Sequence, residues 1–134
     1  MTKKFWALLL PFVYLATLAQ SPKTVLVEHF TNTKCSICAS RNPGFYATLD
    51  NYPQVIHIAF HPSSPYSNCY FSLQNPVEND NRANYYGAFG ATPRAVLNGK
   101  LLPGANPLIT ATTIDTALNQ TVPVEVSATE TLVS

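Results

Sequence analysis

The chain has 134 residues, room for one ordinary domain. Its 46% hydrophobic share excludes a wholly disordered chain, and its eleven prolines and five glycines follow no collagen-like or solenoid period. Eight basic against seven acidic residues give a formal charge of +1 with no block of like charge, which removes the electrostatic footprint of a nucleic-acid binder, and three cysteines are too few for a disulfide scaffold.

Lys3 and Lys4 precede an uncharged run from Phe5 to Ala19. Thr17 and Ala19 put small residues at the −3 and −1 positions of a cleavage site between Ala19 and Gln20. The run is 15 residues long and interrupted by Pro11, short of the ~20 that a spanning helix needs. Residues 1–19 therefore read as a signal peptide, with no transmembrane span in the mature chain. No cysteine follows the cut, which argues against a lipid anchor. Cleavage leaves six of the eight basic groups against seven acidic ones. The expected location is outside the cytoplasm (periplasm, outer membrane or secreted), where disulfides persist.

Along the mature chain, Thr24–Phe30 is a mostly apolar, β-branched run that predicts a buried strand. The polar stretch Thr31–Lys34 predicts a turn, with Thr33 as N-cap of a helix that begins near Cys35 and passes Phe45, Leu49 and Tyr52. Pro43 should kink that helix. Val55–Phe60 is a second buried-strand candidate, followed by an irregular proline- and serine-bearing loop. Asn75-Pro76 starts a helix that ends at Gly87. Pro93–Leu97 predicts a third strand, turned by Asn98-Gly99 into a short fourth. Pro107–Leu118 predicts the last helix.

The order β-α-β-α-β-β-α describes an α/β fold with a central mixed sheet flanked by helices. The domain is expected over residues 20–120. Residues 121–134 alternate apolar and polar from Val122, and read as a linker or as the first strand of a following domain.

The chemistry centres on Cys35-Ser36-Ile37-Cys38. At a helix start, unpaired backbone N–H groups and the helix dipole favour a thiolate on the first cysteine. The second, one turn on, can reach it and attack a mixed disulfide. Cys35 is thus the candidate nucleophile and Cys38 the candidate resolving thiol. CxxC is also half of a zinc site, but the other half is absent apart from His57 and His61, both of which would have to fold over the helix start. No metal is expected.

These residues resemble the thioredoxin-like superfamily: VLVEHF, a short polar loop, CSIC, and proline five residues after the second cysteine. Downstream, YGAFGATP followed by RAVLNG looks like that family's cis-proline loop, strand and tight turn. The likeness covers about residues 23 to 120 and is closest to cell-envelope domains with a GxTP segment. It implies a redox disulfide Cys35–Cys38, a cis bond before Pro93, and a Thr92 backbone that binds an extended substrate. It also implies a buried carboxylate assisting Cys38. Glu28 fits that role by type, although its spacing to CxxC is one residue longer than in thioredoxins, which makes His29 a rival. Lys34 stands where thioredoxins carry tryptophan, and Ser36-Ile37 where they carry Gly-Pro.

The expected function is thiol–disulfide exchange with protein thiols and disulfides, needing no diffusible cofactor and an unidentified redox partner to regenerate the pair. The alternative is a non-catalytic binding module of a longer envelope protein, with a static disulfide. Cys69 reads as a buried or unpaired loop thiol, a third redox participant, or the odd cysteine of an intermolecular disulfide, and His61-Pro62 as a structural loop pair or part of a groove near the site. Tyr85, Tyr86 and Phe89 read as helix anchors or a substrate shelf, and Arg94 as exposed or locally paired.

Overall fold

The structure, a computed structural model, describes residues 20–124 and 126–131; the segment read as a signal peptide lies outside the described residues. In chain order the elements are β1 (Ser21–Pro22), β2 (Leu26–Phe30), α1 (Ser36–Leu49), β3 (Ile56–Phe60), α2 (Tyr70–Gln74) and α3 (Pro76–Tyr85). Then follow β4 (Arg94–Leu97), β5 (Lys100–Leu101), α4 (Ala111–Leu118) and β6 (Thr121–Val122). The fold is α/β. Its main sheet is mixed, in the order β3-β2-β4-β5, parallel between β2 and β3 and antiparallel elsewhere.

Strand β2 lies inside the sheet, and its alternating side chains feed two cores. On one face Val27 meets Phe45 and Leu49 of α1, Ile114 of α4, and Ala95, Leu108 and Ile109. On the other, Phe30 and Val96 meet Ala83 of α3 and Ala88. Helices thus cover both faces. Helix α1 also supplies the crossover that a parallel β2–β3 pair requires.

Several local expectations are corrected. The N-cap of α1 is Cys35, not Thr33, and the helix runs through Pro43 to end at Leu49, short of Tyr52. Strand β3 is not buried: it is one of the sheet's two outer strands, and Ile56 and Ile58 are about half exposed. The irregular loop contains the short helix α2. Helix α4 starts at Ala111, where the Thr110 hydroxyl accepts the Thr113 N–H, while Leu108 and Ile109 enter the core ahead of it.

The Asn98-Gly99 turn forms as expected, both residues at positive φ (48° and 82°). The Asn98 side-chain oxygen accepts the Leu26 N–H at 2.9 Å, tying the hairpin to β2. At the far end of the domain, Thr121–Val122 pairs antiparallel with Ser21–Pro22, so the start of the alternating tail is joined to the beginning of the described chain. No helix among the described residues is long and apolar enough to cross a membrane.

Candidate active site around Cys35

The turn between β2 and α1 is built by Asn32, which is buried. Its backbone carbonyl accepts the Cys35 N–H at 3.1 Å, and its side-chain oxygen accepts the Lys34 N–H at 2.9 Å. Its amide donates to the carbonyls of Pro62 and Tyr66 at 3.1 and 3.3 Å. One side chain therefore sets the turn and fastens it to the loop after β3. The signal was an asparagine two residues before Lys34, the spacing of an Asx turn.

Cys35 and Cys38 form a disulfide with Cα atoms 5.2 Å apart. The Cys38 N–H donates to the Cys35 sulfur at 3.0 Å, so the sulfur takes the capping position at the positive end of α1. The pair is almost enclosed, Cys35 being 3% and Cys38 1% exposed, while Ile37 between them is 51% exposed. The Cys35 sulfur lies 3.7 Å from the carbonyl oxygen of Thr92. The Thr92–Pro93 peptide bond is cis. Pro93 is buried, and the Thr92 hydroxyl is enclosed without a partner. Three of the residues expected at the site, Cys35, Cys38 and Thr92, thus come together, with Pro93 adjoining.

Glu28 is placed elsewhere. It is buried on the face toward α3, paired with the Arg82 guanidinium at 2.5 Å and accepting the Tyr86 hydroxyl at 2.8 Å. Its rival His29, one residue on, points to the α1 face. There its ring lies 4.1 Å from Phe45, 5.8 Å from Tyr46 and 5.9 Å from His57, centroid to centroid. Both its ring nitrogens are buried without a partner. Burial, reinforced by His57 and His61, pushes its pKa from the ordinary 6.5 down to about 3, so the ring is neutral.

Cys69 is fully buried at the start of α2, with its sulfur 3.2 Å from the Thr33 hydroxyl and 3.9 Å from His61 Nδ1. Burial pushes its thiol up, but hydrogen bonds from the Thr33 hydroxyl and the backbone of Ser72, Thr33 and Phe71 outweigh it and hold the pKa below its ordinary value. His61 packs on Phe71, and Arg94 donates to the Leu102 carbonyl. Of the three aromatics, Tyr86 packs on the core, whereas Tyr85 and Phe89 are exposed.

Among the described residues, no three His, Cys, Asp or Glu side chains are placed to hold a metal ion. His57 packs against His29 and Tyr46, and His61 against Phe71. Compared with known proteins, the chain matches no family model, no curated protein and no solved structure.

Proposed function

We propose that the chain is an exported thiol–disulfide exchange domain with a thioredoxin-like fold. The observation that carries this reading is the placement of the Cys35 sulfur at the N-cap of a 14-residue helix and 3.7 Å from the Thr92 carbonyl. The first contact supplies a stabilised thiolate, and the second brings the sulfur beside backbone that can hold an extended segment.

In the reductive direction, the Cys35 thiolate attacks a substrate disulfide. A new S–S bond forms to one substrate sulfur, and the other leaves as a thiolate that takes up a proton. Cys38 then gives up its proton and attacks the Cys35 sulfur, releasing the second substrate thiol. The substrate gains two electrons and the pair loses two, ending as the Cys35–Cys38 disulfide. Oxidation of a dithiol runs the same steps backwards. The electrons reside on the sulfurs, so no diffusible cofactor takes part, and a separate redox partner resets the pair. Glu28 is left out of these steps because its hydrogen bonds run to Arg82 and Tyr86.

The near-complete burial of both cysteines favours a second reading, a static disulfide within a binding module. Trapping separates the two. With Cys69→Ala as background, a Cys38→Ser variant offered a small disulfide-bonded protein should accumulate a mixed disulfide through Cys35, and a Cys35→Ser variant should not. Failure of the Cys38→Ser variant to form any adduct would leave the binding module as the account.

A further inference from the structure

The buried side chains of α1, Cys38, Phe45 and Leu49, form a stripe along one side of the helix. Asn42, four residues after Cys38 and three before Phe45, is the polar member of that stripe. Its side-chain nitrogen donates to the hydroxyl of Thr31, just beyond β2, at 3.0 Å, which fixes the orientation of the amide. The side-chain oxygen is buried and finds no partner among the described residues. Helical side chains lean toward the N-terminus, so Asn42 reaches back over the turn that carries Cys38.

An amide oxygen can only accept, and the oxidised pair has no proton to offer it. Reduction changes this. When a dithiol reduces the pair, the Cys35–Cys38 bond breaks and its two sulfurs take up two electrons. The dithiol closes its own disulfide and releases two protons. One proton stays on Cys38, and the other passes to solvent, leaving Cys35 as the thiolate. The new S–H is then a buried donor one helical turn from a buried acceptor that lacks a partner.

We propose that Asn42 is a positioning residue for the resolving thiol: its side-chain oxygen accepts the Cys38 S–H in the reduced state and is left unpaired in the disulfide. The inference rests on the exchange reading, which supplies the reduced state, and adds a direction to it. A buried acceptor without a partner costs free energy, and here only the oxidised form bears that cost. Asn42 therefore favours the dithiol. It makes the pair a better acceptor of electrons, suited to oxidising the dithiols of its substrates.

The test is the equilibrium constant of the pair against dithiothreitol, measured on the purified chain in a Cys69→Ala background with and without Asn42→Leu. Leucine keeps the branched shape and offers no acceptor. The variant should be harder to reduce by about fivefold, equivalent to about 20 mV for this two-electron couple. Thr48→Ala, farther along the same helix, removes a hydroxyl that bonds the Gly44 carbonyl and should leave the constant unchanged. A constant unmoved by Asn42→Leu, moved toward easier reduction, or moved equally by Thr48→Ala overturns the proposal. A potential too low for exchange, with the fivefold difference intact, would sink the exchange reading and leave the Asn42 contact standing. If Asn42→Leu does not fold, the infrared S–H band of Cys38 decides, recorded with Cys35→Ala and Cys69→Ala so that no other thiol is present. A band lowered by hydrogen bonding is expected, and the band of an unbonded thiol overturns the proposal.

Discussion

The Cys35 sulfur lies 3.7 Å from the carbonyl oxygen of Thr92, 57 positions along the chain. That approach depends on the loop after α3, in which Gly87 and Gly90 both take positive φ, 67° and 76°. An L side chain at either position is strained. Gly90→Ala should therefore lower stability by about 1–2 kcal/mol, measured by denaturant unfolding. Because the loop carries Thr92, it should also change the alkylation rate of reduced Cys35, whereas an equally destabilising change in α4 should not.

His29 makes stability depend on acid. Its folded pKa of about 3 lies below the ordinary 6.5, so folding disfavours the protonated ring. The contribution is complete above about pH 6.5 and is lost as the pH falls toward 3. By pH 4.5 the loss should reach about 2–3 kcal/mol. His29→Phe keeps an aromatic ring against Phe45 and Tyr46 and has nothing to protonate. It should flatten the unfolding free energy between pH 7 and pH 4.5 relative to the parent, and an unchanged slope would contradict this.

Glu28 is a test of a structural carboxylate against a chemical one. Arg82→Met removes its cation and leaves the buried charge with the Tyr86 hydroxyl. It should cost about 2 kcal/mol, below the usual range for breaking a buried pair because Arg82 is 40% exposed. Replacing both partners by methionine should recover much of that loss. If the role is structural, Glu28→Gln lowers stability while leaving the pH profile of Cys35 alkylation in place. A displaced profile would return Glu28 to the cysteine chemistry.

Cys69 should be silent in the native state. Its pKa is held below the ordinary value, but the side chain is fully buried, and a thiol reagent must reach the sulfur. Native oxidised protein should take up no iodoacetamide, and denatured oxidised protein one equivalent, read by mass spectrometry.

Much of the architecture was legible because burial leaves a pattern. Thr24–Phe30 and Pro93–Leu97 read as strands because the segments they contain, Leu26–Phe30 and Arg94–Leu97, are packed from two sides, and Asn98-Gly99 read as a turn since both residues need positive φ. The cysteine pair was legible for the same local reason, a helix start. Strand β3 misled: IHIAF has the composition of a buried strand, and nothing within five residues tells an edge from a centre. Glu28 and His29 show the sharper limit. They are neighbours, and only the sheet's alternation decides that one faces α3 and the other α1. Asn32 passed as an ordinary turn residue because its partners, Pro62 and Tyr66, lie 30 and 34 positions away.

The most direct test of the central claim is the reduction potential of the Cys35–Cys38 pair, obtained by equilibrating the chain in glutathione or dithiothreitol buffers and trapping free thiols. Exchange chemistry predicts a value within about −270 to −120 mV, with Cys35 alone alkylated rapidly near neutral pH once reduced. A pair below about −300 mV that resists the glutathione pool would contradict the account and make the disulfide a structural bond.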